Sequence, residues 1–215
     1  MLADTEVAML RLSAIACGEL GYPCQPSRAH LEAADPMSFA NLGRQLGLPE
    51  AAIPAYVQRS LELFNHNPDP LTIFPGMADV VTQVSLQARV GIVSGNTTFT
   101  IRKFLEDHRL THTVQLVLGV DTPGTKPEKI VQALDRFGSR DGAIFIGDTA
   151  SDVRAAQEAA VVSLAVTWGH HSRQKLMDAG PDYLVDTPDE LFAVLAGLKS
   201  GGFNAGREPF ILPGG

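Results

Sequence analysis

The sequence predicts an α/β protein: a parallel sheet covered by helices on both faces, preceded by a small helical bundle. Three observations carry that prediction. From Leu71 onward, short Val/Ile/Leu-rich runs alternate with amphipathic stretches, and near-continuous apolar strands between helices indicate a parallel sheet buried on both faces. Before Leu71 only helical patterns occur, with breaks at Pro26, Pro36 and Pro49. Finally, Gly147-Asp148-Thr149-Ala150-Ser151-Asp152 joins the apolar run Ala143–Ile146 to a helix. It puts two carboxylates at the C-terminal end of a strand, the rim where open α/β sheets bind ligands.

In chain order, Asp4 is the expected N-cap of a helix through Val7, Leu10, Ile15 and Leu20 that ends at Gly21. Helices follow around 28–34, 39–46 and 50–64, with prolines in the loops or first turns. Residues 4–70 thus form one helical unit. Residues 71–199 form the sheet unit, with strands at 89–93, 114–118, 143–146, 161–166 and 183–185. The helices between and after them fall at 98–108, 128–137, 151–160, 172–179 and 189–198. Residues 200–215 are a Gly-rich tail with one apolar triplet, Phe210-Ile211-Leu212.

Composition narrows the function. The net charge is −7, which disfavours nucleic acid and anionic membranes as partners. No apolar run approaches the ~18 residues that span a bilayer. Cys17 and Cys24 form no CxxC pair and read as free thiols of a reducing, cytoplasmic protein. The N-terminus, with Asp4 and Glu6, is not a signal peptide.

Three strand-to-helix turns carry chemistry. Asp148 and Asp152, four apart in their turn, suit a hard cation such as Mg²⁺; a helix N-cap at Asp148 with a solvated Asp152 explains them equally well. Ser94, Gly95 and Asn96 follow Ile92-Val93 and offer a hydroxyl, a close-approach Gly and helix N–H groups to an anion. Taken alone, that loop is better read as a Ser/Thr N-cap. Lys126 precedes Pro127 and Glu128 at a helix start and points back toward the rim, where it could neutralise a phosphate or carboxylate; a solvated lysine is the plainer reading. Gly119–Lys126 nearly matches a phosphate-binding P-loop, but its order is Gly-Thr-Lys and Pro127 stands where a hydroxyl belongs.

The order Ser94, Lys126, then Asp148 and Asp152, each on such a turn, resembles the haloacid dehalogenase superfamily, in its phosphoglycolate-phosphatase-like branch. Phe74-Pro75-Gly76-Met77, Val166-Thr167-Trp168-Gly169 and Gly180–Val185 strengthen the resemblance, which covers the chain through Leu198. It implies a Rossmann-like core with residues 4–70 as a helical cap over the site. Ser94 would bind the phosphoryl group with the Gly95 and Asn96 backbone nearby, and Lys126 would hold nucleophile and phosphate together. Asp148 would ligate Mg²⁺, supported by Asp152. The Gly-Asp-x-x-x-Asp form favours Mg²⁺-dependent phosphatases of small phosphorylated metabolites over metal-free dehalogenases, because a phosphoryl group needs charge neutralised on several oxygens. A phosphonatase that uses a cap lysine is disfavoured: no Lys precedes Lys103. Substrate choice would rest with the cap, whose polar candidates are Arg11, Arg28, His30 and Arg44, each also readable as a solvated helix residue. His170 and His171, after Trp168-Gly169, read either as lining the rim or, the plainer reading, as loop residues without a catalytic task.

One motif departs from the family. Its first strand ends in Asp-x-Asp-Gly-Thr/Val, which supplies nucleophile and general acid, and a further Asp usually follows at the position Asp4 matches. Counting back places both catalytic acids ahead of Met1, and no Asp-x-Asp occurs in the 215 residues. The expectation is an inactive polypeptide from a misplaced start or a truncated record. The alternative is a natural non-catalytic relative that binds or assembles, so the assignment as an enzyme stays open. Mg²⁺ should then bind weakly or not at all. The family's first strand is central, so its absence leaves a gap between the strands ending at Val93 and Ile146, with unpaired backbone groups on both sides. The flanking strands could pair directly, a partner chain could donate a strand, or Phe210–Leu212 could slot in; a homodimer is a separate expectation. The tail is the least favoured, since Pro209 and Pro213 bracket it and shorten any ladder.

Overall fold

The computed structural model describes residues 2–67, 69–202 and 210–213. Four helices come first: α1 (Glu6–Glu19), α2 (Arg28–Ala33), α3 (Phe39–Gln45) and α4 (Ile53–Asn65). They pack around their own core of Leu12, Ala16, Leu31, Leu42, Tyr56 and Phe64. Helix α1 begins after Thr5, not at Asp4, because residues 3 and 4 are taken by a short strand. Its buried face is Met9, Leu12, Ser13, Ala16 and Cys17. Val7 is 74% exposed and Ile15 37% exposed, so two residues of the expected apolar series face outward.

That short strand, β1 (Ala3–Asp4), pairs antiparallel with β2 (Thr72–Ile73), Ala3 opposite Ile73. The ladder ties the two ends of the helical unit together where the chain enters and leaves it. Gly76, at φ 82°, turns the chain into α5 (Met77–Ser85), a left-handed conformation that a side chain disfavours.

The remaining elements alternate: β3 (Arg89–Val93), α6 (Thr98–Asp107), β4 (Leu116–Leu118), α7 (Lys126–Phe137), β5 (Ile144–Gly147), α8 (Ala150–Glu158), β6 (Val162–Val166), α9 (Arg173–Asp178), β7 (Tyr183–Val185) and α10 (Pro188–Gly202). Strand β4 starts at Leu116 rather than 114; just before it the Gln115 side chain takes the Val90 N–H at 2.7 Å. With β8 (Phe210–Pro213) they form one six-stranded sheet in the order β4-β3-β8-β5-β6-β7, parallel at every junction. Alternation along β5 sends Ile144 and Ile146 into the core under α5 and α10, and Phe145 into the core under α7 and α8. The sheet is therefore buried on both faces, as its apolar strands require.

The strand between β3 and β5 is the tail. Phe210 and Ile211 lie opposite Arg89 and Val90 on one side. Ile211, Leu212 and Pro213 lie opposite Ile144, Phe145 and Ile146 on the other. This overturns the ranking that placed the tail last. Pro213 stands at the end of the ladder, so its missing N–H limits the strand's length without excluding it; Pro209 lies outside the described residues. The pairing with β3 stops at Val90, three residues short of that strand's end.

Candidate functional site

Three turns meet at the C-terminal rim, and the backbone reasons for each are local. In the β5–α8 turn, Thr149, and not Asp148, caps the helix: its hydroxyl accepts the Asp152 N–H at 3.1 Å. Asp152 answers by accepting from the N–H groups of Asp148 (3.2 Å) and Thr149 (3.1 Å) and from the Thr149 hydroxyl (2.8 Å) through one oxygen. Its other oxygen takes the Lys126 ammonium at 2.5 Å. A Cβ on Gly147 would stand 2.2 Å from the Asp152 Cβ, so the turn closes only over glycine. Lys126 is the first residue of α7, aimed by a capping box between Thr125 and Glu128. Both oxygens of Asp152 are thus committed to protein donors. The carboxylate fixes Lys126 and the turn.

Asp148 is 1% exposed. Its Oδ2 accepts from the His170 backbone N–H and from His170 Nδ1, both at 2.8 Å. Burial alone would raise its pKa, but the His170 ring beside it wins and holds the carboxyl below the usual range. Burial likewise opposes charge on His170, and Asp148 outweighs it, raising the imidazole above its ordinary value. Gly169 makes the approach possible, since a Cβ there would meet Oδ2 at 2.2 Å. The other oxygen, Oδ1, is buried with no hydrogen-bond partner. A buried anionic oxygen without a donor is costly and is the atom on which a hard cation fits. Mg²⁺ is commonly held by one or two carboxylates together with waters and substrate phosphates, and this single oxygen meets that pattern. Among the described residues no cluster of three or more acidic, His or Cys side chains surrounds it.

Ser94 is buried at the end of β3, and its hydroxyl accepts the Asn96 N–H at 3.1 Å. Gly95 is exposed, with nothing within 4 Å of a built Cβ. Thr97 caps α6, accepting the Thr100 N–H at 3.2 Å. The expected anion cradle is partly filled from within: Asp121 accepts the Thr98 N–H at 2.8 Å and its hydroxyl at 2.9 Å. Burial opposes charge on Asp121, yet these bonds lower its pKa. Gly119 lets that loop come close, since a Cβ there would stand 2.4 Å from both Asp121 Oδ1 and Thr98 N. Strands lie about 4.8 Å apart, so the ends of β3 and β5 flank the end of β8 across roughly 10 Å. Ser94, Lys126, Asp148 and Asp152 accordingly share one rim.

Above it, a cavity of about 230 Å³ is lined by residues that include Asp4, Thr5, Arg28, Phe74, Trp168 and His170. Arg28 reaches it from α2, paired with Glu6 and donating to the Gly169 carbonyl at 3.2 Å. The other polar candidates on α1–α3 are engaged elsewhere: Arg11 with Asn67 and Asp69, His30 with its own N-cap Ser27, and Arg44 with Asn41 and Glu50. His170 and His171 are both buried and bonded to the Asp148 turn, which places them at the rim. Their signal in the sequence was the adjacency to Trp168-Gly169, with no periodicity to place them. Asp121 was equally hidden, its only pointer being Gly119.

A parallel sheet covered by helices on both faces, with a hydroxyl turn, a lysine and a buried carboxylate at one rim, defines an α/β protein of the doubly wound class. The family model for haloacid dehalogenase-like hydrolases matches residues 1–166, and the chain belongs to that family. Among characterised relatives it is similar to a phosphoglycolate phosphatase of Synechococcus elongatus, 34% identical over 130 residues, covering 60% of this chain and 61% of that protein. It is also similar to the probable phosphatase IndB of Dickeya dadantii, 29% identical over 202 residues, covering 88% of this chain and 87% of that one. The match thus spans about three-fifths of the Synechococcus protein. The fold is shared with a haloacid dehalogenase-like hydrolase from Streptococcus pneumoniae (TM-score 0.78, 24% identity, 90% of this chain and 92% of that one). It is shared too with a predicted phosphatase from Clostridium acetobutylicum (TM-score 0.80, 18% identity, 91% and 94%). No helix of the described residues is long and apolar enough to cross a membrane.

Proposed function

We propose that this chain is a phosphatase-type member of its family that recognises small phosphomonoesters, phosphoglycolate among them, as a cytoplasmic protein with α1–α4 acting as the cap. The observation that carries this reading is the buried Asp148 oxygen without a partner, on the same rim as Ser94 and the Lys126–Asp152 pair. Ser94 and the Gly95 and Asn96 backbone receive the phosphoryl oxygens, and Lys126, held by Asp152, neutralises their charge. Asp148 is the carboxylate that would hold Mg²⁺, which when bound shields the remaining charge on the phosphoryl group. The Arg28 guanidinium, at the cavity wall, faces the rest of the substrate.

Turnover is a separate matter. No Asp-x-Asp lies within the 215 residues, and the strand between β3 and β5 is supplied by Phe210–Pro213, none of them acidic. Without a carboxylate at that strand end these 215 residues would form no aspartyl-phosphate, and we infer a loss of the order of 10⁶ in rate, as for other hydrolases stripped of their nucleophile. A second reading on the same inference is a non-catalytic phosphate-ester binder. Calorimetric titration with phosphoglycolate and Mg²⁺ tests the shared part. Saturable binding that is weakened at least tenfold by Asp148→Asn and by Lys126→Ala is expected; binding indifferent to both would overturn the assignment. Mg²⁺-dependent hydrolysis of an aryl phosphate, abolished by Asp148→Asn, would refute the inactivity.

A further inference from the structure

We propose that His171 is a positioning residue that couples docking of the α1–α4 unit to the Asp148 turn. The residue is fully buried, and its backbone and both ring nitrogens are engaged. Its backbone N–H donates to the Asp148 carbonyl at 3.2 Å. Its Nδ1 accepts the Ala150 N–H at 3.0 Å. A ring nitrogen that accepts carries no proton, so the single proton of the neutral imidazole sits on Nε2, which donates to the Ala34 carbonyl at 3.2 Å. The Lys175 ammonium lies 3.2 Å from Nε2 but has no lone pair to accept its proton, which leaves the Ala34 carbonyl as the acceptor; burial and that ammonium both keep the ring neutral. One imidazole therefore joins the first residue of α8, two positions after Asp148, to the end of α2.

The contacts around it decide when that bridge exists. Glu32 of α2 accepts from the Ser172 N–H (2.8 Å) and hydroxyl (2.7 Å), and so caps α9. Lys175 donates to the Glu32 carbonyl and Arg154 pairs with Asp35. These bonds are made by groups at or near the surface, each worth little alone, and they hold Ala34 against His171. If the helical unit lifts, the buried Nε2–H loses its acceptor, an outcome that costs more than a surface pair. The ring is then free to turn, and the Ala150 N–H loses its partner. Any ligand that orders the Asp148 turn will favour the docked unit, and docking will favour that ligand by the same factor.

Hydrogen exchange on the full chain tests this without a metal or an activity assay. In Glu32→Ala/Asp35→Ala, which leaves every side chain of the Asp148 turn in place, exchange of the Ala150 amide is expected to rise about fivefold or more, together with residues 31–35. His171→Asn keeps an acceptor near the Nδ1 position but cannot reach Ala34. In that background the same double substitution should leave Ala150 exchange unchanged. Unchanged Ala150 exchange in Glu32→Ala/Asp35→Ala overturns the proposal, whether or not residues 31–35 speed up. Equal acceleration in the His171→Asn background overturns it as well, because a purely structural role would pass through that variant.

Discussion

Strands β5 and β8 are neighbours at the centre of one sheet, yet they contribute in opposite ways. Strand β5 pairs with β6 at four positions, sends side chains into both cores, and ends in a turn in which Asp148 Oδ1 is the one buried side-chain polar atom without a partner. Strand β8 pairs with β3 at two positions and ends in Pro213. A sheet centre can thus be filled by any short extended segment, since the ladder is made of backbone. A reaction centre cannot, because it needs particular side chains at the strand's end. Completing the fold and completing the chemistry are separate requirements.

The largest expected effect sharpens β5's side of that contrast. Phe145→Ala empties a 1%-exposed site and should cost about 3–5 kcal/mol, or roughly 10 °C in melting temperature for a chain of this size. Ile211→Pro tests β8: it removes a backbone donor at the residue paired with both Val90 and Ile144. A loss of about 1–3 kcal/mol is expected by chemical denaturation. No change would mean that the slot does not depend on the tail.

A pH titration of stability probes the turn itself. His170 has its pKa raised on folding, so its contribution is fully present below the ordinary 6.5 and is lost as pH rises through the folded value. Asp148 is depressed, so its contribution holds above 3.8 and is lost as pH falls through the folded value. The pair stabilises most between these limits. His170→Asn should flatten the alkaline limb of a denaturation-versus-pH curve; an unchanged limb would detach His170 from Asp148. The smallest effects separate two glycines. Gly169→Ala forces a Cβ onto Asp148 and should cost about 1–3 kcal/mol. Gly95→Ala meets open space and should stay within about 0.5 kcal/mol.

Much of this was legible in the chain. The alternation of Val/Ile/Leu runs with helices placed the sheet, and the Gly147–Asp152, Ser94 and Lys126 turns placed the rim, because turn chemistry is local. What stayed hidden was non-local. The β1–β2 ladder joins residues some seventy positions apart and is two residues long, too short for any pattern. Asp121 fills a helix end it does not neighbour in sequence, and His170 and His171 gain their partners only when β6 lies beside β5. The tail was misjudged because its prolines were weighed as breakers, while a strand that ends at Pro213 needs no donor beyond it.

The place of β8 also sets the order of assembly. Each of its residues follows both of its partner strands in the chain, so the β4–β3 pair and the β5–β6–β7 block must form as separate pieces with exposed inner edges. They can be zipped together only by the segment synthesised after them all. Such high contact order slows folding and lengthens the time that open strand edges are available for wrong pairing. Refolding yield should therefore fall with protein concentration more steeply than equilibrium stability alone would suggest.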